Sequence, residues 1–202
     1  LSARFVHLPA GQIESEIHGA QQHICEILDL DRSTLWQVPQ DEPGTLRMTH
    51  VYTPAGTRPL PARMDMRDFF PWSLLTLVRG ETLTLSTLAV LPPEAARDRE
   101  TLQRYGTKSL VVIPLFAEGA VFGALTFAMA RAGREWPEDV VKGFRMVADV
   151  IASALARRGA DQALRRGGLD DGAGASPAAV FRPTGDENAM LCRDDVEPLQ
   201  LL

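Results

Sequence analysis

The chain predicts an α+β domain: an antiparallel sheet of about five to six strands, with helices gathered outside it. Two observations carry this. Residues 109–130 read as two long apolar strands joined at Glu118-Gly119, a turn where glycine tolerates positive φ. Around them the order is helix, two strands, helix, strand, helix, two strands, helix, and hairpin-linked strands with segregated helices make an α+β layer arrangement.

The elements follow in order. Residues 11–30 form a helix, because Ile13, Ile17, Ala20, Ile24 and Ile27 recur at spacings of four and three, with Glu14 and Glu16 in the favourable first turn. Residues 33–38 are a short strand ended by Pro39. Residues 45–52 alternate, placing Leu46, Met48, His50 and Tyr52 on one face of a half-buried strand. Residues 54–68, with three prolines, read as loop. Residues 70–78 are helical, with Pro71 in the first turn and Gly80 as the stop. A strand at 82–85 and a helix from Glu94 to Tyr105, stopped by Gly106, lead to the two long strands, about 109–117 and 120–130. Gly123 in mid-strand signals a bulge or a close neighbour. The last helix starts near Pro137, with Val140, Phe144, Val147, Ile151 and Ala154 as its buried stripe, and a weaker stripe carries it to about Arg166. The simplest burial sets the first and last helices side by side on one sheet face. The middle helices and the proline loop then cover the other face, where a cavity can form.

Domain boundaries follow composition: a lead-in at 1–10, the domain at 11–166, and an acidic, Gly/Pro-rich tail at 167–202 expected to be disordered or loosely attached. The body balances 19 basic against 19 acidic side chains, so the whole net charge of −5 lies in the tail. A neutral body gives no electrostatic footprint for nucleic acid. No apolar run reaches membrane-spanning length. A chain opening at Leu1 reads as a piece of something longer or a processed product. Two distant cysteines, Cys25 and Cys192, argue against a disulfide framework and fit a reducing cytoplasm.

A family becomes recognisable at this point. The runs Leu91-Pro-Pro-Glu-Ala-Ala-Arg-Asp-Arg-Glu100, Tyr105-Gly106-Thr-Lys-Ser-Leu-Val-Val-Ile-Pro114, Gly123-Ala-Leu-Thr-Phe127 and Trp136-Pro-Glu-Asp-Val140 resemble a GAF domain, as do Asp31-Arg-Ser-Thr-Leu-Trp36 and Thr49-His-Val-Tyr52. The likeness is to GAF domains of bacterial sensor and hybrid histidine kinases and related transcriptional regulators, and it spans about residues 10–166. It implies a sheet of about six strands, a ligand cavity under the middle helices, and a homodimer through the Ile13–Ile27 and Val140–Leu155 helices. An output kinase or regulator module would read the signal, and Ala160-Asp-Gln-Ala-Leu-Arg165 resembles the linker into such a module. The chain then departs into Gly167-Gly-Leu-Asp-Asp-Gly172, with neither a phosphoacceptor box nor an ATP-binding glycine box.

Candidate pocket residues are Trp36, His50, Phe70, Trp72 and Phe127, since small-molecule pockets are largely apolar with a few polar groups. Each suits plain core packing as well. His50 has no second metal ligand at a recognisable spacing. Arg63, Arg67, Asp65 and Asp68 flank the region as a solvated loop. Glu94, Arg97, Asp98, Arg99, Glu100 and Arg104 read as a solvated helix face with pairs such as Glu94–Arg97 and Glu100–Arg104. Cys25 reads as a small core residue. Bilin-binding members of the family attach pigment through a cysteine, and residues 33–166 contain none. No catalytic residue, metal site or cofactor is assigned. Three readings stand: a non-catalytic sensor of a small molecule or partner; a dimerisation or docking module with no ligand; and a redox or hydrolytic enzyme, which needs a nucleophile and a base that the sequence does not bring together.

Overall fold

Glu118 and Gly119 both take positive φ, 52° and 79°, the backbone of a primed two-residue turn. That turn closes the hairpin at the centre of the computed structural model, which describes residues 12–167 except Gln40, Pro43, Ala55 and Gly56. The expected lead-in at 1–10 and almost all of the tail lie outside the described residues.

The elements are α1 (Ile13–Ile27), β1 (Arg32–Gln37), β2 (Thr45–Tyr52), β3 (Arg63–Asp65), α2 (Met66–Phe69), α3 (Pro71–Val78), β4 (Leu83–Leu85), α4 (Ala96–Arg104), β5 (Ser109–Ala117), β6 (Ala120–Met129) and α5 (Glu138–Gly167). The six strands form one sheet in the order β3-β2-β1-β6-β5-β4. Every pairing is antiparallel. Helices α1 and α5 lie on one face, over a core that includes Leu35, Val111, Ile113, Leu125 and Phe127. The other face, under α2, α3 and α4, holds a second core containing Leu83, Leu85, Leu102, Leu110 and Ala128.

Side-chain alternation divides β6 cleanly. Leu125, Phe127 and Met129 belong to the α1/α5 core, while Ala124, Thr126 and Ala128 turn to the opposite side. Gly123 has the close neighbour its position signals: a β-carbon there would collide with the backbone carbonyl of Trp36. The sheet ends are locked by Asp31, whose carboxylate accepts from the amides of Ala130 at 2.7 Å and Arg131 at 3.0 Å and from Arg131 Nε at 2.5 Å. Burial pushes the Asp31 carboxyl up, but these donors outweigh it and hold it below the usual carboxylate value.

Several expectations need correction. Residues 54–68 are not all loop: β3 lies inside them and α2 begins there. A strand of three residues is too short to show a period. In β2 the pairing with β1 slips, with Leu35 opposite His50 but Trp36 opposite Met48. Thr49 is the extra residue of a bulge, so the alternation changes phase there. Leu46 then faces the cavity side, whereas His50 and Tyr52 face α1. Ile27 ends the α1 stripe exposed, at 65 %. In α5 the buried stripe runs through Val141, Phe144, Ala148, Ile151, Ala154 and Leu155, and Val140 and Val147 are only partly covered.

Candidate functional site

The face of the sheet under α2–α4 holds a partly open cavity of about 90 Å³. Its floor comes from alternate strand residues: Thr34 and Trp36 of β1, Leu110 and Val112 of β5, and Ala124, Thr126 and Ala128 of β6. The roof is Met66, Phe70, Ser73 and Leu77, with Leu102 and Tyr105 closing one end. The space exists because β6 presents two alanines and a threonine where larger side chains would fill it.

Asp98 fixes the roof. The first turn of α3 has no side-chain cap of its own. Its free amides are satisfied from α4 instead: Asp98 accepts from Trp72 N at 3.1 Å, Ser73 N at 2.8 Å and Ser73 Oγ at 2.5 Å. Asp98 is fully buried, so the expected solvated face of α4 is corrected at this residue. The helix amides and dipole offset its charge. The neighbouring cations point elsewhere: Arg97 reaches Asp68 O and Glu100, and Arg99 reaches the carbonyls of Leu88 and Leu91. The internal pair on that helix is thus Arg97–Glu100.

Arg32 is the cationic group on the cavity wall, only 5 % exposed. Its Nη2 donates to the carbonyls of Arg58 at 3.1 Å and Tyr105 at 3.5 Å. No carboxylate lines the cavity among the described residues. Burial lowers the Arg32 pKa, with the charge of neighbouring Asp31 opposing the shift. Thr34 Oγ1 accepts from Trp36 Nε1 at 2.8 Å, which leaves the threonine hydroxyl hydrogen free to point elsewhere.

The five sequence candidates therefore separate. Trp36 and Phe70 line the cavity. Trp72 packs against the adjoining core without forming cavity wall. Phe127 lies on the opposite face, stacked on Phe144 with ring centroids 4.1 Å apart. His50, displaced by the bulge, pairs with Glu14 of α1, and Glu14 also pairs with Arg158 of α5. Burial, with His18 nearby, lowers the His50 pKa. Arg32, Ser73 and Tyr105 were missed as cavity residues. The one local mark on Arg32 is that it is a lone arginine at the start of a strand that is otherwise uncharged, a position that reads equally well as surface.

Cys25 is 1 % exposed in the α1/α5 core, and burial, with Asp31 and Glu26, pushes its thiol up to about 12. Among the described residues, no Cys lines the cavity.

The domain is thus a single-sheet α+β module whose cavity and terminal helices occupy opposite faces. The chain belongs to the GAF domain family, whose profile matches residues 12–155. Three solved structures show the same fold. The phycoerythrobilin-bound GAF domain from a cyanobacterial phytochrome is 19% identical, with a TM-score of 0.64 over 76% of this chain and 90% of that one. A domain of a putative two-component sensor histidine kinase protein from Sinorhizobium meliloti 1021 is 17% identical, with a TM-score of 0.58 over 76% and 97%. The GAF domain region of a putative membrane protein from Geobacter sulfurreducens PCA is 15% identical, with a TM-score of 0.57 over 71% and 93%. No curated protein sequence matches the chain. At these identities the likeness establishes the fold alone. The cavity here does not fit a bilin: it is far smaller than a linear tetrapyrrole and offers no cysteine for attachment.

Among the described residues, no helix is long and apolar enough to cross a membrane.

Proposed function

We propose that this domain is a non-catalytic sensor. It binds a small molecule in the cavity under α3 and relays occupancy through α1 and α5 to an output kinase or regulator module in the cytoplasm. The observation that carries this reading is the cavity itself, separated from the terminal helices by a single sheet. Adjacent residues of one strand face both sides: Trp36 against the cavity and Leu35 against the helices, Thr126 against the cavity and Phe127 against Phe144. A ligand that favours one arrangement of the sheet changes the packing of α5 through these pairs.

Dimerisation belongs to the same reading. Ile24 and Leu28 form one wall of an open apolar groove, and Val140, Gly143, Met146, Val147 and Val150 form the other. Met146 is 69 % exposed, and Ile27 beside it in sequence with Leu28 is 65 % exposed. A second copy of the chain, using its Ile13–Ile27 and Val140–Leu155 helices, would cover these residues. Sedimentation should give a dimer for the native chain and a monomer for Ile27→Glu/Met146→Glu; a native monomer would sink the dimer reading.

Ala124→Leu fills the cavity from its floor and tests the sensor reading. In a thermal-shift screen of small metabolites, the native chain should be stabilised by at least one compound that leaves the filled variant unmoved. No stabilising compound, or equal shifts in both proteins, would contradict ligand binding in this cavity. The docking module without ligand would then be the better reading. Ser73 Oγ, the hydroxyl nearest a carboxylate in this region, donates to the Asp98 carboxylate that caps α3, which gives the enzyme reading no support.

A further inference from the structure

The cation on the cavity wall, Arg32, makes no ion pair with a described residue, and only the neighbouring charge of Asp31 opposes the effect of its burial. Arg32 is nineteen-twentieths buried, and its two bonds run from one nitrogen, Nη2, to main-chain carbonyls. Nε and Nη1 have no acceptor among the described residues. A guanidinium carries five N–H donors in a fixed fork that matches a carboxylate. Burying that charge without a counter-ion is costly. The nearest acid in sequence, Asp31, is engaged by Arg131 and two amides. The buried acid of this region, Asp98, is engaged by Trp72 and Ser73. Neither is the partner that Arg32 lacks.

The surroundings define what would complete it. Thr107 and Thr126 line the same cavity, and neither hydroxyl has a side-chain partner among the described residues. Apart from these hydroxyls, Thr34, Ser73 and Tyr105, the walls are aliphatic and aromatic: Trp36, Leu83, Leu85, Leu110, Val112 and Phe70. Size sets a further limit. Scaled from the roughly 150 Å³ cavity that holds the six carbons of benzene, this space takes about four heavy atoms, so a two- or three-carbon acid marks the upper size limit.

We propose that Arg32 anchors the carboxylate of a small organic acid with a short apolar tail, held in the cavity beside Thr107 and Thr126. This rests on the sensor reading and names the chemical class of the ligand. The carboxylate takes the unused edge of the guanidinium, and the tail lies against Trp36 and the strand leucines.

Titration calorimetry on the full chain with propionate, its neutral isostere propionamide, and propylammonium tests this. Nitrogen-15 spectra of the Arg32 Nε–H and the Trp36 indole N–H give the location. Propionate should bind at millimolar concentrations and shift both resonances. Propionamide should bind about tenfold or more weakly, the difference expected for hydrogen bonds to a charged group, and propylammonium not at all. Arg32→Gln should weaken propionate by a similar factor while leaving propionamide unchanged. The comparison of ligands on the native protein stands even if that variant fails to fold. Equal binding of propionate and propionamide at the Trp36 resonance would overturn the anion site yet keep the small-molecule sensor. Silence from all three compounds would overturn the organic-acid proposal, and the Ala124→Leu comparison decides separately whether the cavity takes any ligand.

Discussion

Asp98→Ala should destabilise the domain by about 3–5 kcal/mol, the range for removing one partner from a buried, hydrogen-bonded charge network. The carboxylate is fully buried and holds three donors at the start of α3. Without it, the amides of Trp72 and Ser73 are left at a helix terminus that has no cap of its own. Their desolvation is no longer compensated, and a void opens beneath them. Asp98→Asn should fall between the two, because one oxygen still accepts while the new amide group meets a donor. Denaturant unfolding measures the loss, and a change below about 1 kcal/mol would show that α3 is held some other way. Since Phe70, Ser73 and Leu77 form the cavity roof, the alanine variant should also lose ligand stabilisation.

Phe127→Ala should cost a comparable amount, about 3–5 kcal/mol, through lost burial and a cavity in the α1/α5 core. Phe127 is fully buried and stacks on Phe144 at an interplanar angle of 21°. The two variants differ in what they do to binding. Phe127 faces away from the ligand cavity, so its loss should loosen α5 and change ligand affinity by no more than the relay's coupling, about 1–3 kcal/mol. A large fall in affinity with little loss of stability would return Phe127 to the pocket wall, where the sequence pattern allowed it.

The sheet and its helices were legible because their signals are local and repeated. The β5–β6 hairpin is declared by two long apolar runs around Glu118-Gly119, and the α1 stripe by isoleucines at helical spacing. Trp36 and Phe70 follow from being large residues on elements that must face a core. What sequence could not show depends on partners far along the chain. The bulge at Thr49 exists only in the pairing of β2 with β1, and it moves His50 to the helix face. Asp98 sits among charged neighbours, and nothing nearby announces that α3, some 25 residues earlier, uses it as a cap. Arg32 belongs to the same class: an arginine at a strand start reads as surface until the roof above it is known. The phase of β6 was readable in principle, since Ala124, Thr126 and Ala128 share one face and Leu125, Phe127 and Met129 the other.

The central claim is that occupancy of the cavity is felt by the terminal helices. Hydrogen exchange of the full chain, with and without a compound selected by the Ala124→Leu comparison, tests it most directly. The account predicts slowed exchange in α3, next to the ligand, and altered exchange in α5 across the sheet. Protection confined to α3, with α1 and α5 unchanged at saturation, would contradict it and leave a binding pocket with no relay.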